Sequence, residues 1–140
     1  MIEDEFDEDV LAERFGPTPT ADQLPEIRAL LAAETARGMA ANTLAMKLWC
    51  TYLFLNGSPA DTLLVWQAKE SGFDASISID GQLLLGAGID ATVEYLTASG
   101  DEAAPAALAY IREFAASADS EDFTPEQQAQ WYRGYYGWRA

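Results

Sequence analysis

The sequence predicts an all-α, or mainly α, single compact domain of six to seven short helices. Three observations carry this expectation. Apolar residues recur at helical spacing through most of the 140-residue chain, as on the buried stripe of an amphipathic helix. Helix-start signatures stand at Ser58, Ser99 and Thr124, where a hydroxyl can accept from a first-turn amide and a proline or an acid follows. Residues 44–55 are apolar nearly all round, which marks a helix surrounded by others.

The first unit is residues 1–16. Seven of its first fifteen residues are acidic, yet Ile2, Phe6 and Val10 recur at i, i+4 and i+8, with Leu11 and Phe15 completing the stripe. That pattern reads as an acidic amphipathic helix, or an arm that becomes one on contact. Gly16-Pro17-Thr18-Pro19 then stops it, since proline lacks the amide a helix needs. Residues 20–140 form the helical globular domain.

Within that domain the next helix runs over about 21–38, with Thr20 and Gln23 at capping-box spacing, Pro25 in the first turn and Leu24, Ile27, Leu30 and Leu31 facing inward. Asn42 caps the central helix over 44–55, which Asn56-Gly57 ends. Ser58-Pro59-Ala60-Asp61 opens a fourth helix carrying Leu63 to Trp66 and ending at Gly72. Further helices are expected over 90–98, from Ser99 and Glu102 through Ile111 and Phe114, and from Thr124 to about Tyr136.

One segment departs from helical spacing. Phe73, Ala75, Ile77 and Ile79 alternate with Asp74, Ser76, Ser78 and Asp80, which is strand periodicity. Asp80-Gly81 suits a two-residue turn, giving a small β-hairpin over 73–85. The rival reading makes Asp80 an N-cap and residues 82–86 a helical turn. Both remain open at this point.

Composition removes more chemistry than it names. There is no histidine and a single cysteine, Cys50, so the usual triads, zinc sites and haem sites lack their common ligands. One cysteine cannot make an intrachain disulfide. Cys50 lies mid-helix in the most apolar segment and reads as inert packing. The acidic N-terminus is the wrong charge for a signal peptide and no apolar run spans a bilayer, so a cytoplasmic protein is expected.

Four patterns invite a functional reading. Gly86-Ala87-Gly88-Ile89-Asp90-Ala91 fits G-x-G-x-x-A, but no second strand ending in an acid follows, so a tight turn between packed helices is the simpler account. Oxygen side chains at Asp74, Ser76, Ser78 and Asp80 have calcium-loop spacing, but Ile79 and Leu85 stand where glycine and glutamate are required. Asp74 and Asp80, near Lys69 and Glu70, could serve as acid–base carboxylates or simply cap turns and pair with Lys69. Trp131, Tyr135 and Trp138 at i, i+4 and i+7 form a stripe that packs on the core or presents an interface.

A net charge of −15 repels nucleic-acid backbones and anionic membranes and attracts basic partners. The leading expectation is a non-catalytic acidic binding protein, without cofactor or metal, that masks a basic protein partner such as a toxin. Bacterial immunity proteins and antitoxins share this size and acidity. The expected partner-binding residues are Phe6, Asp7 and Glu8 in the arm, Asp74 and Asp80, and the acidic run Asp119, Glu121 and Asp122. The alternatives are a small enzyme using Asp74 and Asp80, and a structural or regulatory protein whose acidity is only solubilising.

Overall fold

A computed structural model describes residues 15–16 and 19–138. Among them lie seven α-helices: α1 (Leu24–Ala36), α2 (Thr43–Asn56), α3 (Thr62–Lys69), α4 (Phe73–Ser78), α5 (Ile89–Ala98), α6 (Ala104–Ala115) and α7 (Pro125–Tyr135). Short 3-10 turns at Gly38–Ala40, Pro59–Asp61, Gly81–Leu85 and Ala118–Ser120 connect them, and the described residues contain no strand.

Local chemistry sets most of the boundaries. The Asn42 side chain accepts from the Ala45 amide and Gly57, at φ 78°, closes α2 in the left-handed region, as these residue types favour. The Thr124 side chain accepts from Gln127 ahead of α7, with Pro125 at its start. Ser58 caps the 3-10 turn from which α3 continues. The start of α6 differs from the capping box expected at Ser99. There the Ser99 hydroxyl accepts from Asp101 N, and the Asp101 carboxylate accepts from Ala103 N. This two-step relay delays the helix to Ala104, where Pro105 fits its first turn.

The strand periodicity at 73–80 does not produce a hairpin. Phe73–Ser78 is helix and Gly81–Leu85 is a 3-10 turn. Alternation at i and i+2 also contains two i, i+4 pairs, and a helix sorts them onto different faces. Ala75 and Ile79 are buried, whereas Phe73 and Ile77 are 72% and 65% exposed. Asp80 occupies the N-cap position of the 3-10 turn, but its side chain makes no capping bond there.

The core is built around α2, which buries nine consecutive or near-consecutive side chains from Ala45 to Phe54. Helices α1, α4 and α7 and the Gly81–Leu85 turn pack around it. Helix α3 sits against α1, α4 and α6, and α5 pairs mainly with α6. Leu83, Leu84 and Leu85 are all buried, because a tight 3-10 turn wedged between α2 and α3 has little free surface. Each such leucine contributes roughly 1.5–3 kcal/mol of transfer free energy. Cys50 is fully buried, and that burial pushes its thiol pKa far up.

On one side of α2 an aromatic cluster closes the core. Phe15 meets Trp49 edge-on at 5.2 Å and Trp138 stacks on Tyr52 at 5.1 Å. The Tyr52 hydroxyl donates to Gly16 O at 2.7 Å. Burial holds the Tyr52 phenol well above its ordinary pKa.

Candidate functional site

Helix α4 has six residues, too few to persist unaided. Its C-terminal end is held by Lys69, whose Nζ donates to Ser76 O and Ile79 O, both at 2.6 Å. An ammonium there satisfies carbonyls that the helix leaves open and opposes the negative end of the helix dipole. Lys69 is 7% exposed. Burial lowers its pKa, and the charges of Asp80 and Glu70 partly restore it. The cation is therefore committed to backbone.

Asp80 follows α4 and turns toward α2 and α7. Its Oδ2 accepts from the Tyr132 hydroxyl at 2.9 Å and lies 3.9 Å from Lys47 Nζ. Burial, with the neighbouring Asp80 charge second, drives the Tyr132 phenol pKa far up. Asp80 thus has a neutral hydroxyl donor and a cation as its partners. The expected pairing of Asp74 and Asp80 with Lys69 is thus replaced: Asp80 pairs with Lys47 and Tyr132, and Lys69 bonds carbonyls.

Asp74 stands exposed in the first turn of α4, at the opposite end of that helix from Asp80. The structure does not bring the two carboxylates together. The calcium-loop spacing dissolves for the same reason, since Asp74, Ser76 and Ser78 ride on a helix. No group of three or more metal-ligating side chains occurs among the described residues. Asp119, Glu121 and Asp122 lie exposed on and beside the 3-10 turn after α6. Phe6, Asp7 and Glu8 lie outside the described residues.

The glycines of G-x-G-x-x-A have structural duties. A side chain on Gly86 would come within 2.5 Å of Phe54 O and 2.9 Å of Phe54 Cα, so the turn approaches α2 as only glycine allows. Gly88 takes φ 91° at the entrance to α5. Residues 104–115, where a nucleotide-binding sheet would need its next strand, are helix α6.

The C-terminal stripe divides in two. Trp138 packs on the core as expected, but Trp131 and Tyr135 are 53% and 47% exposed, while Tyr132 takes the buried place. Trp131 and Tyr135 stack at 5.5 Å with 11° between their planes. Lys47 Nζ lies 4.7 Å from the Tyr135 ring centre and 5.9 Å from that of Trp131, within cation–π range. Lys47 thus joins the Asp80–Tyr132 pair to an exposed aromatic pair.

The sequence reading missed Lys47, Tyr132 and the exposed pair Phe73 and Ile77. The i, i+4 spacing of Phe73 and Ile77 was the available signal for the last of these. No helix among the described residues is long and apolar enough to cross a membrane. Comparison with family models, with curated proteins and with solved structures finds no match to this chain.

Proposed function

We propose that this chain is a non-catalytic acidic binding protein that masks or neutralises a basic protein partner in the cytoplasm, in the manner of an immunity protein or antitoxin. One observation supports the reading: four of the six described cations, Arg28, Arg37, Lys47 and Lys69, are engaged by carboxylates or backbone, while most of the described carboxylates stand at the surface. Of the six described lysines and arginines only Arg37 and Arg112 are exposed, against thirteen exposed carboxylates. Arg28 is held by Asp61 at 2.8 and 3.1 Å, Arg37 by Glu34 at 3.3 Å, and Lys69 by backbone. A surface so divided attracts cations over a Debye length and orients a basic partner before contact.

The test is surface plasmon resonance of the full chain against its captured partner at several ionic strengths. The association rate should fall as salt rises past ~0.15 M, where the Debye length is roughly 8 Å. Neutralising Asp119, Glu121 and Asp122 together, or Asp7 and Glu8, should lower it as salt does. An association rate indifferent to both salt and these substitutions overturns the reading and leaves the acidity as a means of staying in solution.

A further inference from the structure

Eight large apolar side chains are exposed among the described residues, and six of them stand on α2, on α4 and α7, which pack against it, and on the turn that precedes it. Met39 is 86% exposed, and its Sδ lies 4.0 Å from where a side chain on Gly72 would begin, next to Phe73. Phe73 and Ile77 stand one turn apart on α4. Ser78 donates to Thr43 at 3.4 Å, which sets the end of α4, with Ile77, against the start of α2, with the half-exposed Leu44. One turn along α2 from Leu44, Lys47 lies over the exposed rings of Tyr135 and Trp131.

We infer that this face, formed by Met39, Leu44, Phe73, Ile77, Trp131 and Tyr135, is the docking surface for a basic segment of a partner protein that carries apolar anchors. The inference rests on the binding function proposed above and names the surface that performs it. Exposed large apolar side chains gathered on adjoining elements mark interaction sites, and aromatic residues dominate interface hot spots. Charge selects the occupant. A second copy would set −15 against −15. The chain's own residues 1–14 carry seven carboxylates and one arginine, a net charge of the same sign as the acidic body. A basic segment is the one of the three with opposite charge, and Glu70 and Asp74 stand exposed beside Phe73 to receive it. The cations nearest the face are already engaged, Lys47 with Asp80 and the rings, Arg37 with Glu34.

The test uses the full chain and three synthetic helical peptides: one of leucine and lysine with a single apolar face, one with the same lysines but no leucine, and one of leucine and glutamate. Calorimetry should show the leucine–lysine peptide binding about tenfold or more tightly than the lysine-only peptide, and the leucine–glutamate peptide not binding. Phe73→Ser with Ile77→Ser should remove about tenfold or more of that affinity, as truncation of interface anchors does. Met39→Ser with Trp131→Ser, which leaves α4 untouched, should do the same with unchanged circular dichroism. Equal salt-sensitive binding of both lysine peptides, unaffected by either double variant, overturns the surface while leaving the acidic-binder reading intact. Failure of both lysine peptides to bind overturns both. Self-association abolished by Phe73→Ser, or nuclear magnetic resonance shifts at Phe73 and Ile77 on removal of residues 1–14, would assign the face to another occupant and overturn the inference.

Discussion

The two sides of α2 carry similar residues and treat them differently. On one, Phe15, Trp49, Tyr52 and Trp138 stack into a cluster that is closed to solvent. On the other, Trp131 and Tyr135 stack equally well over Lys47 yet stay about half exposed. Ring-on-ring geometry therefore does not separate core from surface here. What separates them is whether a further element lies on top: Phe15 and the turned-back Trp138 cover Tyr52, while nothing in the described structure covers Trp131. Stacking without cover stabilises the rings against each other but leaves their apolar area in water, where a partner can remove it.

Truncation on the two sides should give the largest contrast. Tyr52→Ala should cost about 3–5 kcal/mol in urea denaturation, as for other buried aromatics, whereas Trp131→Ala should cost about 1 kcal/mol or less. Similar losses at both positions would mean that the exposed pair is a structural clasp, and the contrast would fail.

A smaller effect is expected at Lys69, which positions the open side. Lys69→Met removes two hydrogen bonds from an ammonium to the end of α4 and relieves a buried charge, for a net loss of about 1–3 kcal/mol. Hydrogen exchange should accelerate at Ser78 and Ile79 while α2 keeps its protection. Uniform acceleration throughout would show that α4 is inseparable from the core.

The smallest effect is a pH dependence that belongs to the closed side. Burial raises the Tyr52 phenol above its ordinary pKa, so the folded chain holds that proton more tightly than the unfolded chain. The resulting stability is fully present below about pH 10 and is lost as pH rises further, toward the folded value. Tyr52→Phe should flatten the alkaline decline in chemical denaturation while costing about 1 kcal/mol for the bond to Gly16 O. An unchanged slope would place the decline on Tyr132 and Cys50, whose pKa values burial also raises.

Most of the helices were legible because their starts are written locally. Asn42, Ser58 and Thr124 each carry a side-chain oxygen that accepts from an amide two or three residues on, and that chemistry needs no tertiary partner. Ser99 was misread because Asp101 intervenes with a competing turn bond. Residues 73–80 were ambiguous in the sequence. Their spacing satisfies both periods, and a tertiary contact from Lys69 accompanies the helical outcome. The candidate site suffered from the same gap: Asp80 was visible as a carboxylate, but its partners Tyr132 and Lys47 are 52 and 33 positions away. The division of the C-terminal stripe followed from Tyr132 reaching Asp80 and Phe54, which turns Trp131 and Tyr135 outward.

Cys50, the single thiol of the chain, has no solvent exposure and a raised pKa. It is consequently a natural clock for the core. A thiol-reactive reagent at neutral pH can modify it only while the structure is open around α2, since the thiolate is the reacting form. When the reagent is dilute, the labelling rate reports how much of the time that opening exists. When the reagent is in large excess, it reports how often the opening happens. Motion confined to α4 and the exposed rings would go by without a tick.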